Sequence, residues 1–100
     1  MLRHIVMWNY KDGFSIEQNM ENAKKVKQEL EQLKQHIDEV VELNVYINEL
    51  SSSNRDIILD SLFEDKDALE VYRVHPEHKR VGVLVAEVLQ NRACIDYYTE

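Results

Sequence analysis

The sequence predicts an α+β fold: one four-stranded antiparallel sheet with its helices gathered on a single face. Two observations carry this. The apolar period switches between two and about 3.6 along the chain, so strand-like and helix-like runs alternate in βαββαβ order. The connections between those runs are short, and there is no internal repeat. At 100 residues the chain has room for a single domain over 1–100, its core running from about 2 to 98.

Leu2 to Tyr10 is rich in β-branched and aromatic residues and stops at Lys11-Asp12-Gly13, which reads as a strand ended by a turn. One of its faces carries His4, Val6, Trp8 and Tyr10, the other Ile5, Met7 and Asn9. Both are largely apolar, so both are expected to be covered. Ser15 then opens a long helix, with Gln18 placed to complete a capping box. Ile16, Met20, Ala23, Val26, Leu30, Leu33 and Ile37 form its apolar stripe.

From Val41 the period returns to two. Val41, Leu43, Val45 and Ile47 alternate with more polar neighbours, as in a strand near a sheet edge. Ser51 to Asn54 is a polar turn, too short for a domain linker, and Arg55 to Phe63 is the third strand. Asp67 to Tyr72 reads as a short helix that must end or bend before Pro76. Pro76 suits the first position of another helix, whose stripe is Val81, Leu84, Val85 and Val88. Ala93 to Tyr98 is the fourth strand, with Cys94 read as a small buried hydrophobe.

Such an order packs most simply as a ferredoxin-like sheet. The helices cover one sheet face only. Ile5, Met7, Ile58 and Leu62 on the other would stay wet in a monomer, which predicts a homodimer joined through the sheet face opposite the helices, the two sheets forming a barrel.

Composition narrows the function. Nineteen acidic against twelve basic side chains give a formal charge of −7, which argues against a nucleic-acid partner. No run is apolar and long enough to span a membrane, and no signal peptide is recognisable. With one cysteine there is no intrachain disulfide, so a cytoplasmic setting is expected.

Phe63-Glu64-Asp65, Ala68-Leu69, Tyr72 and His75-Pro76-Glu77-His78, between Arg3-His4-Ile5-Val6-Met7 and Asp96-Tyr97, resemble the stress-responsive A/B barrel (Dabb) family over nearly the whole chain. The resemblance implies a dimeric α+β barrel of ferredoxin-like subunits, each with a pocket between sheet and helices. It implies little about activity. One plant branch is similar to a polyketide cyclase in which a tyrosine and the second histidine of this segment serve a carbonyl condensation; Tyr72 and His78 match those positions. The sequence departs from that branch at the pocket wall, where Ile57 and Ser61 are unremarkable and no feature fixes an acyl-chain channel; a polyketide cyclase-like carbonyl substrate is what the resemblance implies.

His78, in the first turn of a helix opened by Pro76, sits at the positive end of the helix dipole, which favours a neutral ring able to act as a base. Tyr72 can offer its phenol to a developing oxyanion. His4, Trp8, Leu59 and His75 complete the expected ligand pocket; His75 also reads as the residue that starts the helix, and His36 as solvated. No metal site is expected: His75, His78, Glu77 and His4 offer donors, but Pro76 takes His75 out of the regular turn. No cofactor is expected either, since there is no phosphate loop or nucleophile elbow. Three functions remain: cofactor-free acid–base chemistry on a carbonyl compound, a non-catalytic stress-associated dimer or ligand-binding barrel, and a haem- or oxygen-using barrel.

Overall fold

A computed structural model describes residues 1–99. Strand β1 (Leu2–Tyr10) leads into helix α1 (Ile16–His36), then strands β2 (Glu42–Ile47) and β3 (Ile57–Phe63). Helices α2 (Lys66–Val74) and α3 (Pro76–Val88) follow, and β4 (Leu89–Tyr98) ends the order. The strands line up as β2-β3-β1-β4, every neighbouring pair antiparallel. This is the ferredoxin-like sheet that the sequence predicts.

Local chemistry sets the helix boundaries. Ser15 Oγ accepts from the Gln18 amide at 3.1 Å while Gln18 Oε1 accepts from the Ser15 amide at 2.9 Å, a complete capping box. Asp65 caps α2 by accepting from the Ala68 amide. His75 ends α2 and starts α3, its Nδ1 accepting from the Glu77 amide at 3.1 Å, with Pro76 at the first helical position.

The core lies between the sheet and the helices. Ala23, Val26, Leu30 and Leu33 of α1 are buried with Leu43, Val45, Ile57, Leu59, Phe63 and Tyr72. The expected α1 stripe is buried from Ala23 to Ile37, but Ile16 and Met20 are exposed. At roughly 1.5 Å per residue α1 is about 31 Å long, while β2 at roughly 3.3 Å per residue is about 20 Å, so the helix overhangs its strand.

Two further expectations need correction. Strand β4 begins at Leu89, not Ala93, because Leu89 and Gln90 pair with Tyr10 and Asn9 beyond a register irregularity beside Asn91, whose φ is +55°. Leu62, expected to be wet, is buried within one subunit. It lies in register between Arg3 and Glu42, whose side chains meet at 3.6 Å.

Candidate functional site

The site lies where α2 and α3 meet the β1–β4 half of the sheet. The register puts His4 opposite Asp96 and Val6 opposite Cys94. Alternation therefore turns Arg92, Cys94 and Asp96 of β4 towards the helix side with His4. Yet Arg92, Cys94 and Asp96 are exposed while His4 is buried. Cys94 is thus not the buried hydrophobe expected: β4 is an edge strand, and the helices leave its inner face open.

Four rings pack against one another beside that opening, in tilted and edge-on contacts. Tyr72 packs against His78 with centroids 4.4 Å apart, against Phe63 at 5.0 Å and against His4 at 6.3 Å. Tyr72 is buried, and its hydroxyl has no hydrogen-bond partner among the described residues. Burial pushes its phenol well above the ordinary value, so it stays protonated and acts as a donor.

His78 is half-buried, and its Nδ1 lies 2.9 Å from the Arg73 carbonyl. A carbonyl only accepts, so Nδ1 carries the proton and Nε2 keeps its lone pair. Burial lowers the His78 pKa below the ordinary histidine value. The Arg73 carbonyl opposes that shift, while His4, Arg92 and the Arg73 side chain reinforce it. His78 is therefore a neutral ring at pH 7 with one free acceptor nitrogen.

His4 Nδ1 donates to Asp96 Oδ1 at 2.5 Å, a charge-assisted bond that orients the ring. Cys94 Sγ lies 3.8 Å from His4 Nδ1 and 3.9 Å from Asp96 Oδ1. Burial and the carboxylate of Asp96 push the thiol above its ordinary pKa. Two clefts flank this group along β4. One, of about 410 Å³, lies between α2 and the end of β4 and includes Leu69, Arg73 and Asp96 in its walls. The other, of about 350 Å³, lies between α3 and the start of β4, beside Trp8, Gly82 and Arg92.

The sequence-predicted residues thus divide. His4, Tyr72 and His78 come together. Trp8 edges the second cleft, Leu59 is sealed in the core, and His75 is committed to capping α3. Ile57 and Ser61 are buried, and Ser61 Oγ donates to the His4 carbonyl at 2.7 Å, steadying the strand that carries the imidazole. Sequence reasoning missed Asp96, Cys94, Arg92 and Phe63. The period-two spacing of 92, 94 and 96 held the signal for three of them, but only the β1–β4 register places them beside His4.

A family model described as Stress responsive A/B Barrel Domain matches residues 2–99. No curated protein matches the chain. Several solved structures do. A dimeric protein of unknown function and ferredoxin-like fold from Bacteroides fragilis is 30% identical, covering 98% of this chain and 95% of that one, with a TM-score of 0.91. A Dabb family protein from Mesorhizobium loti is 19% identical (99% and 96% covered, TM-score 0.75). A hydroxynitrile lyase from Passiflora edulis is 13% identical (99% and 93% covered, TM-score 0.82), a likeness of fold.

Proposed function

The chain belongs to the stress-responsive A/B barrel domain family, and from that premise we propose that it binds a small carbonyl compound beside β4 and moves a proton on it without a cofactor. His78 Nε2 takes the proton, the Tyr72 hydroxyl donates to the oxygen on which charge develops, and His4, held by Asp96, is a polar wall. One observation carries the reading. The Tyr72 hydroxyl is buried without a partner against the His78 ring, and such an orphan donor costs about 1–3 kcal/mol that a bound oxygen would recover.

The pairing of acid and base follows from their environments. Tyr72 is pushed up and His78 down, so at neutral pH one is a donor and the other an acceptor. Arg92, exposed on the same face, favours a substrate that carries or develops negative charge. A hydroxynitrile lyase and an antibiotic biosynthesis monooxygenase are built on similar folds. Fold likeness does not transfer their reactions.

The working unit in this reading is a homodimer. Ile5, Met7 and Ile58 lie on the sheet face away from the helices, and Tyr46, Ile95 and Tyr97 of the same face are exposed. A second copy would bury this apolar surface, and the B. fragilis relative is described as dimeric. Light scattering should give twice 11.9 kDa. A cytoplasmic setting belongs to the same proposal, since a reducing compartment keeps the exposed Cys94 free.

A second reading, a non-catalytic ligand-binding barrel, draws on Tyr72 being almost inaccessible, 1% exposed. One experiment separates the two: turnover of a panel of aldehydes and β-keto esters by the wild-type protein, His78→Ala and Tyr72→Phe. The enzymatic reading expects a loss of about 10²–10³-fold in kcat for each variant with the fold intact. Ligand binding without turnover, or turnover indifferent to both changes, overturns it in favour of the binding barrel.

A further inference from the structure

We infer that His4, Cys94 and Asp96 form a zinc site on the inner face of the β1–β4 pair. Their donor atoms, one nitrogen, one sulfur and one carboxylate oxygen, lie within 4.8 Å of one another. The three side chains come from two strands locked in register, His4 opposite Asp96 with Cys94 two residues earlier on the same face of β4. Backbone pairing, not a mobile loop, sets their spacing.

The distances suit a tetrahedral ion. With bonds of about 2.3 Å to sulfur and about 2.1 Å to nitrogen or oxygen, donor-to-donor edges are about 3.3–3.6 Å. The Sγ–Nδ1 and Sγ–Oδ1 edges are already 3.8 and 3.9 Å. Only the Nδ1–Oδ1 edge, 2.5 Å, is short, because a hydrogen-bonding proton now sits between those atoms. Turning the Asp96 carboxylate outward by somewhat less than 1 Å, on a solvent-facing strand, opens that edge for the ion.

The donor set selects the metal. Thiolate with imidazole and one carboxylate suits zinc, whereas magnesium and calcium need several oxygens. Thiolate and carboxylate together offset the ion's two charges, with Arg92 as the nearby cation that tempers affinity. His4 is buried and anchors the site; Cys94 and Asp96 are exposed, so an ion enters without any element moving, and its fourth position faces solvent. Three protein ligands with one open position leave room for a water or a ligand oxygen. The site shares His4 and Asp96 with the proton-transfer reading, where they are hydrogen-bonded to each other, but uses neither Tyr72 nor His78, so ion binding is tested apart from turnover.

The test is titration of the purified chain with Co²⁺ as a spectroscopic probe and with Zn²⁺ in competition, across wild type, Cys94→Ser, His4→Gln and His78→Ala. Wild type and His78→Ala should both show thiolate-to-cobalt charge transfer and four-coordinate ligand-field bands, displaced by one equivalent of Zn²⁺. Cys94→Ser should lose the charge-transfer band and bind Zn²⁺ about 100-fold more weakly, since even the loss of a supporting outer contact costs 10–100-fold. His4→Gln should weaken binding similarly. Because Cys94 is exposed, Cys94→Ser should fold as wild type by circular dichroism, and Zn²⁺ should raise the Tm of the wild type and of His78→Ala only. Absence of the charge-transfer band in wild type overturns the site. So does equal affinity in Cys94→Ser, or loss of binding in His78→Ala.

Discussion

The two flanks of the helical layer are built to different ends. Over β2 and β3, helix α1 makes a sealed interface in which Ala23, Val26 and Leu33 are fully buried and Val45 beneath them is too. It also closes the β2 edge: Glu31 accepts from the Val45 amide at 3.0 Å, and Lys27 donates to the Val45 carbonyl and to Glu31. Over β1 and β4 the helix is broken at His75-Pro76, and the inner face of β4 is left open at Arg92, Cys94 and Asp96. One uninterrupted helix gives stability. Two short ones, meeting at a cap, leave Arg92, Cys94 and Asp96 open to solvent, with an orphan hydroxyl buried behind them.

That contrast sets the expected mutational responses. Leu33→Ala on the sealed flank should cost about 2–5 kcal/mol in denaturant unfolding, since the closed interface cannot collapse around the lost volume. A cost below about 1 kcal/mol would mean the flank is looser than its burial indicates. Tyr72→Phe on the open flank should do the reverse and raise stability by about 1 kcal/mol, because it deletes a buried hydroxyl that has no partner. Measurable destabilisation there would mean the hydroxyl is already satisfied, and would remove the main support for the oxyanion role.

Smaller effects are expected at the β2 edge and at the helix break. Glu31→Ala should cost about 1 kcal/mol by freeing the Val45 amide at the β2 edge, read as faster hydrogen exchange at Val45 and no change at β4. The smallest expected effect is one of pH. His78 has its pKa lowered on folding, so between the folded and unfolded values the unfolded chain binds more protons. Stability from this group is full above the unfolded histidine value and falls as pH drops through it towards the lowered value. The groups facing the ring are Tyr72, His4, Arg73 and Arg92, three of them cationic when protonated, so none reverses the sign. His78→Gln should flatten this part of the profile; an unchanged slope would mean that another group is responsible.

Much of the fold was legible because its signals are local. Ser15 with Gln18, Pro76 after His75, and the period-two run of Leu43, Val45 and Ile47 each act within a few residues, and each stands in the structure, the strand starting at Glu42 rather than Val41. Burial was less legible where it depends on how far an element reaches. Ile16 and Met20 obey the α1 stripe yet overhang the shorter strand beneath. Cys94, in an apolar-looking run, proves exposed because β4 is an edge strand whose inner face the helices leave open at that position. Of the candidate site, Tyr72 and His78 were visible as neighbours in one motif, while Asp96 lies 92 residues from the imidazole it orients.

The order and type of elements, the caps that bound them, and the family motif around His78 follow from local period and from interactions within about one turn. The tertiary structure alone decided which side chains share a space. Antiparallel pairing of β1 with β4 brings His4 to Cys94 and Asp96, and packing of α2 leaves the Tyr72 hydroxyl dry and unpartnered. Contacts between distant residues depend on register and on the reach of each covering helix, and neither quantity is encoded in any local window of the chain.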